Sequence, residues 1–492
     1  MTAAAPAPTA IVSAPAAAAA ATQLAMERAR IDASTRGPVI FFFLSAVLWL
    51  LVSTVLGLIS SIQLHSPGFL ADVPFLTYGR VWPAYQNTLL YGWASQVGIG
   101  VVLWLLARLC RVEVKLGGVL MVAGVFWNFG LSIGIGGILA GSGSGVEWME
   151  LPGSAALIMF IGYAIVALWA AMIFGFRRQG PAYVSVWYAF AAMLWLPWAF
   201  GTGYLANQLT SVQGVMHSVI AAWASHSILN MWITGVGLAT AYYLIPKVIN
   251  RPIHSYNLAA VGFWSWLAFG GITGLVRLSG GPVPAWLVTL SIAANILLLV
   301  MIVTVTKNFV MTMRGQYHMV YHSPTIRFAF FGAIAFSISG VLGLLSSLRS
   351  FDRILHFTHF QAAQQHLVLY AFFTMVMFGA IYYILPRLVG CEWLSSSMIS
   401  LHFWGAAYGG GTMIAMLLFG GVAFGLSLDD PESLFSQVIE TGEIYAISRT
   451  IAWSLVVLGQ MVFTLHFLLM LMRIGQPGGQ ATLFAPIEEE KH

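Results

Sequence analysis

Residues 39–62 read VIFFFLSAVLWLLVSTVLGLISSI, a run of 24 residues without a charged side chain. A helix needs about 20 predominantly apolar residues to cross the hydrocarbon core of a membrane. Stretches of this kind recur along all 492 residues, of which only 8% are charged, and the mean hydropathy is +0.85. Because a spanning segment must satisfy its own backbone hydrogen bonds, the sequence predicts an all-α, polytopic membrane protein.

Apolar runs broken by Pro, Gly and charged residues predict twelve spans. They lie near residues 39–62, 86–109, 116–140, 153–176, 182–206, 215–246, 256–276, 284–308, 325–347, 361–387, 397–425 and 445–472. Of the Lys and Arg residues, 16 fall in one set of alternate connecting segments and 5 in the other set. The positive-inside rule therefore predicts that both termini lie in the cytoplasm. The expected location is a bacterial-type inner (plasma) membrane. Topology also accounts for most of the net charge of +5, so no nucleic-acid partner is expected.

The segments that flank the spans differ from them in composition. Residues 1–37 begin as an Ala/Pro-rich stretch and are predicted to form a disordered cytoplasmic tail, within which Gln23 to Arg36 could form a short amphipathic helix. Residues 38–475 are predicted to form the membrane domain, and residues 476–492 are predicted to form a second cytoplasmic tail.

Few polar side chains fall inside the predicted spans. All 16 Asp and Glu residues lie in tails, loops or helix ends, which disfavours a proton-coupled or sodium-coupled transporter. Two histidines, His226 and His366, lie within the sixth and tenth spans. An imidazole in a dry helix bundle either binds a metal or haem or hydrogen-bonds a neighbouring helix, and both interpretations stay open at this point.

Several short strings occur in a characteristic order. They are Arg80-Val-Trp-Pro-Ala-Tyr-Gln-Asn87, Ser225-His226-Ser227, Tyr242-Tyr-Leu-Ile-Pro-Lys247, Arg251-Pro-Ile-His-Ser-Tyr256, Tyr382-Tyr-Ile-Leu-Pro-Arg387 and His402-Phe-Trp404. Their order and spacing resemble subunit I of the haem-copper oxidases, most of all the cbb3-type cytochrome c oxidase, and the related nitric oxide reductases share the same plan. The resemblance covers about residues 40 to 475 and implies a twelve-helix bundle.

The resemblance also implies cofactors: a low-spin haem held by two histidines, a high-spin haem held by one, and a copper held by three. Imidazole suits both metals. In this sequence Tyr85 and Gln364 stand where the two low-spin haem ligands are expected, and His366 matches the high-spin haem ligand. Arg449 matches an arginine near the haem propionates.

The copper ligands are also incomplete. His226 matches the first of them, whereas Val276 and Arg277 fall on the adjacent pair of histidines. Gly270 falls on the tyrosine that the family joins to a copper ligand. The alignment therefore predicts at most one haem, bound through His366, and no copper.

Three functions remain open. The first is an active terminal oxidase or nitric oxide reductase subunit with an altered cofactor set. The second is a divergent paralogue that serves as a structural or electron-transfer subunit beside other respiratory subunits, such as c-type cytochromes, and is not expected to reduce oxygen. The third is a transporter or gas sensor that uses the vacated cofactor pocket. The incomplete ligand set favours the second, because activity must be argued from the site.

Overall fold

The computed structural model describes residues 14–178, 180–208 and 212–475. These residues form a bundle of twelve long helices joined by short loops. The helices are α1 (Ala14–His65), α2 (Tyr78–Cys110), α3 (Gly117–Ala140), α4 (Gly153–Gly175), α5 (Val184–Gln208), α6 (Val215–Val248), α7 (Tyr256–Phe269), α8 (Ala285–Met313), α9 (Pro324–Ser347), α10 (His359–Val389), α11 (Ser396–Asp429) and α12 (Phe435–Leu471). The predicted all-α fold class is confirmed.

Eleven of these helices, within the described ranges, are long and apolar enough to cross a membrane. The exception is α7, which has 14 residues and is followed by a 3-10 turn at Thr273–Leu278. The seventh predicted span, residues 256–276, is therefore divided into two pieces. Gly270 and Gly271 stand at the division, where glycine favours a departure from α-helical geometry.

Three helices occupy the centre of the bundle. The most apolar windows of α2, α6 and α10 are 100%, 94% and 94% buried, whereas those of the other spans are 56% buried or less. Helices that are apolar on all sides belong in a protein core. The central position brings the candidate residues of α2, α6 and α10 towards each other.

The N-terminal part of α1 continues beyond its apolar span. Asp32 forms an ion pair of 2.8 Å with Arg108, and Glu27 forms one with Arg111. These ion pairs hold the extension against the end of α2. Residues 14–37 are helical, so the prediction of disorder is wrong for this part of residues 1–37. The helix agrees with the alternative prediction of a short helix from Gln23 to Arg36. Two predicted tail segments, residues 1–13 and 476–492, lie outside the described residues.

Candidate functional site

Three π-helical segments interrupt the central helices just after the candidate residues. Tyr85 precedes the segment Thr88–Ala94, His226 precedes Ile228–Ile233, and His366 precedes Leu367–Thr374. A π-helical turn inserts an extra residue and is frequent at functional sites. The three segments therefore mark the same region of the bundle that the sequence motifs indicated.

Tyr85 and His366 form a direct buried pair. The Tyr85 hydroxyl lies 2.7 Å from Nε2 of His366, and Nδ1 of His366 lies 2.6 Å from the Ala362 carbonyl oxygen. Since a carbonyl oxygen only accepts, Nδ1 carries the proton, and Nε2 accepts a hydrogen bond from the hydroxyl. The rings of Trp82 and Trp453 surround the pair. Both nitrogens of this imidazole are thus engaged within the protein.

The structure corrects the expected pairing of Tyr85 with Gln364. Positions 364 and 366 are two residues apart, which places them about 200° apart around a helix with 3.6 residues per turn. His366 faces α2, whereas Gln364 lines a cavity on the other side of α10 together with His226. His366 therefore faces Tyr85, at the α2 position that the resemblance assigned to a low-spin haem ligand, and Gln364 faces the cavity instead.

Arg449 lies beside the Tyr85–His366 pair. Its side chain is 2% exposed, its guanidinium stands 5.7 Å from the centre of the Trp82 ring, and its Nε has no hydrogen-bond partner. None of the ion pairs among the described residues includes it. An unpaired charge in a buried position is costly, so this arginine is suited to an anionic group.

The cavity between α6, α8, α9 and α10 has a volume of about 190 Å³. Nε2 of His226 lies 2.7 Å from the Thr273 hydroxyl, while Nδ1 of His226 and Nε2 of Gln364 are buried without a partner. Asn230 and Asn295 also line the cavity. It is thus an apolar chamber with a few polar atoms whose hydrogen bonds are unsatisfied.

The expected copper positions converge on this cavity. Val276 and Arg277, on the 3-10 turn after α7, line it together with His226. The Arg277 guanidinium is held by Glu147 at 3.0 Å, and the Val276 amide donates to Ser291 Oγ. Gly270 is not among the lining residues, and its carbonyl accepts a hydrogen bond from Asn230. The structure thus brings the three copper positions together, with one imidazole among them.

Gln365, to which the sequence assigned no role, connects the two regions. Its Nε2 donates to Glu147 Oε1 at 2.6 Å, and its Oε1 accepts from Gln86 at 3.4 Å. Because Glu147 also holds Arg277, one polar chain runs from α2 across α10 to the cavity. Its position between two candidate ligand residues was visible in the sequence, but its partners lie far away along the chain.

The loop between α3 and α4 contributes a buried carboxylic acid. Glu150 is 6% exposed and accepts a hydrogen bond of 2.7 Å from Asn87. Burial raises the pKa of Glu150 to about 7, although the hydrogen bond from Asn87 opposes this shift. The group therefore changes its charge near neutral pH.

We expect Glu150→Gln to reduce the loss of folding stability that occurs between pH 5 and pH 8. The pKa of Glu150 is higher in the folded state, so its contribution is complete below the ordinary pKa of 4.5 and is lost as pH rises through about 7. The loss corresponds to about 3 kcal/mol, since one pKa unit is about 1.4 kcal/mol. Thermal unfolding of wild type and variant at pH 5 and pH 8 measures it. The stability of the variant relative to the wild type should be higher at pH 8 than at pH 5. An equal stability difference at both pH values would contradict the raised pKa of Glu150.

Comparison with known proteins identifies relatives of the whole chain. The fold resembles a solved structure of a heme-copper terminal oxidase dimer, with a TM-score of 0.73, 13% identity, and coverage of 92% of this chain and 86% of that chain. The cbb3-type cytochrome c oxidase subunit CcoN1 of Stutzerimonas stutzeri is 25% identical over 82% of this chain and 87% of its own length. A cytochrome c oxidase subunit 1 homolog of Azorhizobium caulinodans is 26% identical over 90% of this chain and 84% of its own length.

The helical bundle therefore has the fold of a haem-copper terminal oxidase subunit. Residues 37–455 match the family described as cytochrome c and quinol oxidase polypeptide I, and the chain belongs to this family. The resemblance to cbb3-type subunit I that the sequence motifs indicated is confirmed.

Proposed function

We propose that this chain is a divergent subunit-I-like protein of a respiratory membrane assembly that binds at most one haem and no copper, and does not reduce oxygen. One observation carries the proposal. The cavity in which the family holds its high-spin haem and copper contains Gln364 at the haem position and His226 as the one imidazole at the copper positions. Oxygen consumption and metal content of the purified protein test the proposal.

The donor atoms around His226 do not fit copper. Its Nε2 lies 2.7 Å from the Thr273 hydroxyl, which also accepts a hydrogen bond from the Asn230 amide, and Val276 offers no donor side chain. Arg277 offers no donor either, because its guanidinium stays protonated and has no lone pair for a metal ion. Copper sites of this kind use several nitrogen donors, so a single imidazole does not form one.

The donor chemistry around His366 does fit a haem. Histidine and tyrosine both serve as axial ligands of haem iron, and the unpaired Arg449 guanidinium would neutralise a haem carboxylate. A haem at this position would supply one-electron transfer. The Tyr85 hydroxyl lies 2.7 Å from Nε2 of His366 in this structure, so the two side chains would have to separate for His366 to hold a haem. The limit of one haem follows from Gln364, which offers no imidazole at the second haem position.

The proposal includes the orientation that the charge distribution predicts. Reporter fusions after His492 and at Gly145, which lies in the loop between α3 and α4, should report opposite compartments, with His492 in the cytoplasm. A result that places both positions on the same side of the membrane would contradict the twelve-span topology.

A further inference from the structure

A second pocket opens at the end of the bundle that carries the N-terminal extension. Its volume is about 460 Å³, which lies within the range of about 300–1,000 Å³ that is typical of ligand sites. Its walls come from the extension of α1, the end of α2 and the segment that follows α6. Four cationic side chains line it, namely Arg28, Arg108, Lys247 and Arg251, and Tyr183 and Tyr243 are also among its lining residues.

The positive charge of this pocket is largely uncompensated. Arg108 has its ion pair with Asp32, but the ion pairs among the described residues include none of the other three cations. Arg251 donates to the carbonyl oxygen of Arg314, which leaves its charge unneutralised. Like charges that converge on one concave surface repel each other unless an anion lies between them.

The pocket lies at the level where the membrane helices end. Lys247 is in the last turn of α6, and Arg108 is in the last turn of the α-helical part of α2. Basic pockets between membrane helices at this depth suit anionic head groups. Phosphate presents several strong acceptor oxygens and one or two negative charges, which matches three uncompensated cations better than a single carboxylate does.

We propose that this pocket binds a phosphate-bearing anion, which is either the head group of an anionic lipid or a soluble phosphate compound. The ligand joins Arg28 of the extension to Lys247 of α6, two elements that are distant along the chain. It therefore holds the extension against the bundle, in addition to the ion pair of Asp32 with Arg108. This site is independent of any haem or metal.

The experiment uses the full-length protein in neutral detergent and follows thermal unfolding through tryptophan fluorescence. One arm titrates inorganic phosphate against sodium chloride at equal ionic strength. The other arm titrates phosphatidylglycerol against phosphatidylcholine in mixed micelles. The test variant carries Arg28→Gln and Lys247→Gln, both at exposed positions without an ion pair among the described residues. The control is Lys115→Gln, an exposed cation outside the pocket.

A ligand that binds the folded state raises the unfolding midpoint in proportion to its saturation. We expect one of the two probes to stabilise the wild type and the control, and its half-saturating concentration to rise at least about tenfold in the double variant, since each cation contributes about 1 kcal/mol, or about fivefold. Stabilisation by phosphate identifies a soluble ligand, and stabilisation by phosphatidylglycerol alone identifies a lipid. Equal responses of all three proteins, or no response to either probe, would overturn the proposal.

Discussion

Oxygen consumption by membranes that contain this protein should be more than about 100-fold slower than that of membranes that contain an active cbb3-type relative, assayed with the same electron donor. Loss of a residue that merely supports a metal ligand lowers affinity or activity by about 10- to 100-fold. Here the positions that the proposal assigns to the ligands themselves carry Gln364, Val276 and Arg277, which all line the cavity. An oxygen electrode with membranes from a strain that lacks its other terminal oxidases measures the rate.

The relative expressed in the same strain is the positive control, and the empty strain sets the background. An oxygen consumption rate near that of the relative, abolished by His226→Ala, would contradict the expectation. It would mean that copper is held at His226 by donors other than the ones around it in this structure.

Replacing Tyr85 by histidine should create a low-spin haem site. Tyr85→His shortens the side chain that faces His366 and removes the hydroxyl that hydrogen-bonds its Nε2. Two imidazoles would then face each other across the space between α2 and α10. Two strong axial nitrogen ligands favour a low-spin haem. We expect one haem per chain with a bis-histidine spectrum, measured by reduced-minus-oxidised difference spectroscopy.

Two matched variants distinguish the possible pairings. Tyr85→Phe removes the hydroxyl without adding a ligand, so it should not yield the bis-histidine spectrum. Gln364→His, alone or with Tyr85→His, tests whether Gln364 faces α2. A bis-histidine spectrum that requires both substitutions would restore the pairing of Tyr85 with Gln364 and contradict the hydrogen bond seen with His366.

The spans were predictable because a run such as residues 39–62 is decided by local hydrophobicity alone. The rotation of α10 about its own axis, which decides which side chains face α2, was not predictable from the sequence. Gln364 and His366 differ by two positions, and only packing against α2 and α6 determines which of them faces Tyr85. The π-helical segment Leu367–Thr374 changes the helix phase further, and hydrophobic periodicity does not reveal such an insertion.

The structure of the N-terminal extension was also not predictable from its amino-acid composition. An Ala/Pro-rich start followed by mixed charges is typical of disorder. In the structure the extension is instead held by ion pairs of Asp32 with Arg108 and of Glu27 with Arg111. The two arginines follow their partners by some 75 to 85 residues in the chain. Contacts between residues so far apart in the chain are not visible in local sequence, and they override the compositional preference.

A pyridine haemochrome spectrum combined with elemental analysis of the same purified sample tests the central claim most directly, because it counts haems and copper together. The claim is that the cavity of Gln364 and His226 holds neither the high-spin haem nor the copper of the family. The predicted result is at most one haem per chain and copper well below one per chain. Two haems and one copper per chain, with the copper lost in His226→Ala, would contradict it.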